Sequence, residues 1–301
     1  RRVLFRSTIR QAILIAMCFE FLGAWLAGGE VTSTIRKGII DPELLSDSPQ
    51  LLVYGMTSAL LAAGTWLLLA SVRGWPVSTT HSIVGAIVGF AAVGISVEYV
   101  SWGQVGAIVA SWVVSPVLAG SISFGLFMSV KYLILDTDEP FQRAKRYIPF
   151  YMWFVGFMIA MVTLLKGLKH VGVEVDFGLG SKFANALPPA ALLGLLVAGV
   201  GALLLRRIRE VPDEDNRFAS VERVFAVLMV FTACSMAFAH GSNDVANAVG
   251  PLAAVTSVVQ SGGSVAATAA MPGWILLTGA CGIVVGLATY GWKVIATVGR
   301  K

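Results

Sequence analysis

The sequence predicts an all-α fold, a polytopic transmembrane helical bundle with inverted repeats, broken helices and re-entrant hairpin segments. Three observations carry that expectation. Of 301 residues, 56% are hydrophobic and only 13% are charged, whereas an average globular domain is about one-quarter charged. The mean hydropathy of +0.80 agrees. Six runs contain no Asp, Glu, Lys or Arg: Leu51 to Val72, Gly74 to Val97, Tyr99 to Val130, Tyr147 to Leu165, Phe183 to Leu205 and Val245 to Trp292. A crossing helix needs only about 20 such residues. Two polar clusters, at 76–82 and 240–251, interrupt this apolar background, and irregular backbone at membrane depth is tolerated only where it lines a cavity or is buried in protein.

In chain order, a first helix is expected over 9–29, with Glu20 inside it, and a second over 51–72. The segment 74–97 does not read as a simple span, because Pro76 and a group of hydroxyl residues break its start. Helices at 102–130, 147–165 and 187–205 follow, with the connector Lys131 to Arg146 between the first two and Arg206 to Arg217 after the third, each with four basic residues. Basic connectors of this kind mark cytoplasmic loops. A helix at 221–239 leads into the second irregular segment, 240–260, and the last helix is expected at 273–293. The natural division is 1–146, 147–217 and 218–301, with one polar motif in the first part and the other in the third.

The chain repeats itself weakly. Gly23, Gly28, Val31, Thr34, Ile35 and Lys37 lie 263 residues before Gly286, Gly291, Val294, Thr297, Val298 and Arg300. Two-fold repeats are typical of secondary transporters, whose binding sites form between the repeats from broken helices. If the repeat is real, each motif has a twin beyond one end of this chain. Arg1 to Ser7 carries charge but no apolar h-region or small-residue cleavage site, so no signal peptide is expected and the chain reads as a fragment. The formal charge of +5 sits in connectors rather than on one amphipathic face, which points to lipid headgroups and topology, not to nucleic acid. Cys18, Cys234 and Cys281 each lie in apolar sequence with no CxxC spacing and are expected to be inert core residues.

The first motif is Pro76-Val77-Ser78-Thr79-Thr80-His81-Ser82, opening a helical run that carries Gly85 and Gly89. Pro in a first turn and a hydroxyl cap are what any helix start uses. One cap needs one hydroxyl, however, and here four hydroxyls and a histidine crowd together. A helix N-terminus with free N–H groups and hydroxyl donors is an anion site. The second motif, His240-Gly241-Ser242-Asn243-Asp244-Val245-Ala246-Asn247, runs on to Gly250-Pro251 and is expected to unwind the helix that carries it. No basic residue within four positions is expected to neutralise Asp244, and an intramembrane carboxylate marks an ion pathway by default. Asn243, Asp244 and Asn247 offer three side-chain oxygens, a donor set suited to a hard cation such as sodium.

At these motifs the chain resembles the inorganic phosphate transporters, which couple phosphate uptake to sodium or protons. That family carries Gly-Ala-Asn-Asp-Val-Ala-Asn-Ala in each of two inverted repeats, matched once by Gly241 to Ala248 with Ser242 in place of Ala. Its Pro-Val-Ser-Thr-Thr-His motif is matched without change by Pro76 to His81, and Thr32 to Asp41 and the pair Phe19-Glu20 also look like family landmarks. The resemblance implies that Ser78, Thr79 and Thr80 bind phosphate oxygens, and that Asn243, Asp244 and Asn247 form or support cation sites, with Asn243 and Asp244 on sodium if sodium is the coupling ion. Glu20, His81, His240 and Ser242 would be supporting intramembrane polar residues, the two histidines either hydrogen-bonded in place or moving protons. The implied protein is a multi-pass homodimer in the plasma membrane, with no cofactor beyond its co-transported cation. Rival readings are a sulfate or other oxyanion permease on the same scaffold, an intramembrane enzyme using His240 and Asp244, and a passive channel.

Overall fold

The computed structural model describes residues 9–29, 48–166, 177–211, 218–264 and 272–299. The family landmark Thr32 to Asp41 lies outside these residues, as do Val31, Thr34, Ile35, Lys37 and Arg300 of the weak repeat. Nine α-helices are present among the described residues: α1 (Ile9–Ala27), α2 (Pro49–Arg73), α3 (Thr79–Phe90), α4 (Trp102–Val130), α5 (Pro140–Lys166), α6 (Lys182–Arg206), α7 (Ala219–Gln260), α8 (Gly273–Gly286) and α9 (Trp292–Gly299). π-helical turns extend α3 over Ala91–Ile95 and α4 over Lys131–Leu135, and join α8 to α9 over Leu287–Gly291. Seven helical stretches are long and apolar enough to cross a bilayer, and the stretch Thr79–Ile95 is shorter than these. The protein is a multi-pass membrane protein.

The helix starts are set by capping chemistry. α5 begins at Pro140 rather than at 147, because Pro loses no hydrogen bond at a first helical position, so Arg143, Lys145 and Arg146 belong to the helix. α6 begins at 182 because the Ser181 hydroxyl accepts the Ala184 N–H at 3.1 Å, and the helix then runs through Pro188 and Pro189. The largest departure is α7, which continues without interruption from Ala219 to Gln260. The expected unwinding at 240–251 does not occur. Two glycines and Pro251 weaken the helix there, but Val245, Ala246, Val249, Ala253 and Ala254 are all at most 5% exposed. Their burial, and the cost of leaving backbone groups unpaired in an apolar setting, outweigh propensity. Only the Asn247 carbonyl loses its i+4 donor, because Pro251 has no N–H.

Two compact units form. In the unit comprising 9–109 and 237–301, α2 and α3 make a tight hairpin. Gly74 ends α2 in the left-handed conformation (φ 71°), its N–H bonded to the Ser71 carbonyl at 3.1 Å and that of Trp75 to Ala70 at 2.8 Å. The hairpin is antiparallel: Gly55, near the start of α2, lies against the ring of Phe90 at the end of α3. Leu52, Met56, Ala59 and Ala63 bury against Ile83, Val84, Ile87 and Ala91 in one core. A second core joins Ala24 of α1, Val245, Val249 and Ala253 of α7, and Ile275, Leu276 and Ala280 of α8. Replacing Gly74 by Ala puts a Cβ at positive φ, 2.9 Å from Thr297 Oγ1. We expect Gly74→Ala to destabilise by about 1 kcal/mol or more, read as a lowered thermal midpoint in detergent.

In the unit comprising 110–165 and 177–236, the core is Ile134, Phe141, Ile148, Met152, Leu205 and Val224, with Ala160, Met161, Ala186 and Ala190 packed separately. Tyr151 shares a hydrogen bond with Ser129 at 2.7 Å. Buried Asn185 accepts the N–H groups of Phe177 and Leu179 at 3.0 Å each. The cysteines correct another expectation: Cys18 and Cys281 are exposed and Cys234 is half-buried. Apolar sequence in this fold also faces outward, so it does not by itself mark a core.

Candidate functional site

The hydroxyl motif sits where the α2–α3 hairpin turns. Ser78 is the N-cap of α3, its Oγ accepting the His81 N–H at 3.2 Å, while the Ser82 hydroxyl donates to the Ser78 carbonyl at 2.7 Å. No acidic residue occupies the first turn of α3, so its partial positive end is uncompensated by its own side chains. Thr79 and Thr80 are half-buried and Ser78 and His81 are exposed.

The second motif lies on α7 as a stripe. His240, Asn243, Asp244 and Asn247 stand three or four residues apart and share one helical face. That stripe meets the start of α3. The Thr79 hydroxyl donates to Asp244 Oδ2 at 2.8 Å, and Asn247 Nδ2 donates to Thr79 Oγ1 at 3.1 Å and to Thr80 Oγ1 at 3.2 Å. Asn243 Nδ2 donates to Asp244 Oδ1 at 3.4 Å. Two motifs more than 160 positions apart in sequence thus form one hydrogen-bonded cluster.

A third element enters from α1. His240 Nε2 lies 3.3 Å from Asp244 Oδ2, and His240 Nδ1 lies 3.3 Å from Glu20 Oε1. The two acids are sheltered, with side chains 13% (Glu20) and 18% (Asp244) exposed, while the bridging imidazole is 57% exposed. The expectation that Asp244 lacks a local partner is therefore overturned: His240, one helical turn earlier, is that partner. Close approach of α1 and α7 makes the bridge possible. Gly23 faces the Phe238 carbonyl, and Gly241 faces the backbone of Glu20. The two glycines serve each other's helix reciprocally, a device for bringing backbones together that is common between membrane helices. No sequence signal singled these glycines out for that role. The weak repeat pairs Gly23 with Gly286, yet Gly286 meets nothing within 4 Å.

Of the expected site residues, Thr79, Thr80, Asn243, Asp244, Asn247, His240 and Glu20 come together. Ser78 caps its own helix and bonds to none of the α7 residues. Ser242 is buried and donates to the Ala239 carbonyl of its own helix at 3.0 Å, outside the cluster. His81 is exposed on α3. Chemically, the cluster sets hydroxyl donors and a helix N-terminus, which suit an anion, against a carboxylate and amide oxygens, which suit a hard cation.

The model of the phosphate transporter family matches residues 6–301. The chain belongs to that family. It is a transporter and not an enzyme. A relative from Haemophilus influenzae, named as a phosphate permease, is 46% identical over 297 residues, covering 97% of this chain and 68% of its own length. One from Pyrococcus abyssi, named likewise, is 40% identical over 294 residues, covering 98% of this chain and 69% of its own. A solved structure titled a sodium-dependent phosphate transporter matches with a TM-score of 0.86 and 39% identity, over 98% of this chain and 70% of that one.

Proposed function

We propose that this member of the phosphate transporter family works as a secondary active symporter, carrying inorganic phosphate across the plasma membrane together with a cation. The observation that carries the reading is the 2.8 Å bond from Thr79 to Asp244, which ties the start of an anion-suited helix to the carboxylate of a cation-suited stripe. Phosphate carries one to two negative charges near neutral pH, and moving it uncompensated into an apolar site costs many kcal/mol. The N-terminus of α3 offsets part of this through about half a positive charge. A cation on Asp244 and Asn243 offsets more, so that neither ion crosses well alone. Sodium is favoured as that cation, because the solved relative is titled sodium-dependent. In this reading Ser78 and Thr80 donate to phosphate oxygens, while Glu20 and His240 hold Asp244 in place.

The test is uptake of radiolabelled phosphate by the full-length protein in liposomes, with an imposed sodium gradient, a proton gradient or neither. Accumulation against the phosphate gradient in the sodium arm alone is the expected result. Equal accumulation in the proton arm would reassign the cation, and equilibration without accumulation would leave a channel. Excess sulfate competing as well as unlabelled phosphate would reassign the anion. We expect Ser78→Ala to raise the phosphate KM about tenfold or more, the usual effect of losing a hydroxyl donor to a charged ligand. Its helix cap is worth a further ~1 kcal/mol of stability, so Ser78→Thr, which keeps both functions, is the paired control.

A homodimer completes the proposal. α4, 29 residues long, has no buried residue and offers its whole apolar surface to lipid or to a second copy. Light scattering in detergent giving twice the protomer mass is the expected outcome.

A further inference from the structure

Counting hydrogens in the cluster separates the three hydroxyls of the Ser-Thr-Thr motif. A hydroxyl has one hydrogen to give and two lone pairs to accept with, and an ionised carboxylate only accepts. In the 2.8 Å contact between Thr79 and Asp244 the hydrogen therefore belongs to Thr79. Asn247 spends one amide hydrogen on Thr79 and one on Thr80, in both cases onto the hydroxyl oxygen. Ser78 likewise accepts, from the His81 N–H. Ser78 and Thr80 thus keep their own hydrogens for an incoming anion, whereas Thr79 has already spent its hydrogen on Asp244.

We infer that Thr79 is the coupling residue of the site: its hydroxyl donates to Asp244, and it turns to donate to phosphate when a cation occupies that carboxylate. The inference rests on the symport reading above and goes a step further, because it says how one ion's binding reaches the other. A cation on Asp244 takes up the lone pairs that hold the Thr79 hydrogen, and it attracts the Thr79 oxygen as a further ligand. Both effects turn the O–H outward. Phosphate then meets three hydroxyl donors instead of two. Asn247, bonded to Thr79 and Thr80 together, keeps the two oxygens in register during this rotation. By thermodynamic linkage, phosphate must tighten cation binding by the same factor that the cation tightens phosphate binding.

The experiment is equilibrium dialysis of inorganic phosphate against the full-length protein in detergent, in sodium chloride and in an N-methylglucamine salt. The quantity read is the ratio of the two Kd values. For the unsubstituted protein we expect sodium to tighten phosphate binding by about 10- to 100-fold, the range of one charge-assisted hydrogen bond and of ordinary coupling. Thr79→Val should lower the ratio several-fold, leaving only the direct attraction between cation and phosphate. Thr79→Ser should restore the ratio. Thr80→Val should weaken binding by a similar factor in both salts and preserve the ratio. Thr79→Ala serves in place of the valine variant if that one fails to fold. An unchanged ratio in Thr79→Val or Thr79→Ala overturns the switch, and so does an equal loss in both salts, which would make Thr79 an ordinary ligand. Absence of phosphate binding by the unsubstituted protein in either salt overturns the transport reading itself, and the switch with it.

Discussion

Asp244→Asn is expected to cut cation-stimulated phosphate uptake by at least about 100-fold, since losing the charged partner of a bound ion costs about 2–5 kcal/mol of binding. Asparagine keeps the shape of the side chain and an oxygen for the Thr79 hydroxyl, so the 2.8 Å bond to α3 has a substitute and the fold should insert normally. What disappears is the charge that a cation needs. Proteoliposome uptake as a function of sodium concentration reads the effect, and helical content by circular dichroism verifies the fold. Wild-type uptake with wild-type sodium dependence would remove Asp244 from the mechanism. Asp244→Glu restores charge but moves the oxygens outward by one methylene, so it should recover little.

Gly241→Ala should be strongly damaging for a change of one carbon. The added Cβ falls on the backbone of Glu20, and backbone cannot rotate out of the way as a side-chain tip can. Overpacking of this kind costs about 1–3 kcal/mol. The functional cost is larger, because α1 must retreat from α7 and carries Glu20 away from His240, a contact now at 3.3 Å. We expect a lowered thermal midpoint together with a loss of uptake. Gly199→Ala on α6 is the control: nothing lies within 4 Å of its Cβ position, so alanine there should be neutral or slightly stabilising through helix propensity. Equal behaviour of the two variants would mean that the α1–α7 seam is not tight.

How far the sequence revealed this site depended on the kind of signal. Uncharged runs identified the membrane helices because burial in lipid demands them, and the hydroxyl run at 76–82 marked the cap at Ser78, whereas the cap at Ser181 was missed and that helix was expected only from 187. The family motifs pointed to both halves of the cluster. The continuity of α7 was not legible, because Gly241, Gly250 and Pro251 are local signals, and the burial of Val245 and Val249 that overrides them is a tertiary fact. The Glu20–His240 contact was hidden for the same reason: it depends on two glycines whose importance is visible only once the helices cross. Ser242, expected as a supporting polar residue, takes no part in the hydrogen-bonded cluster: a residue one helical step from Asn243 points to another face, and its hydroxyl bonds back to Ala239.

The unbroken backbone of α7 has a mechanical corollary. On a regular helix His240, Asp244 and Asn247 keep a fixed pitch over about 10 Å, so the stripe acts as a ruler and cannot stretch, fold or open by itself. Any gate at this site therefore has to be a movement of something lighter against the ruler. The short hairpin arm of α3 is joined to it by two amide hydrogens from Asn247 and one threonine hydrogen, so a movement of that arm breaks three hydrogen bonds.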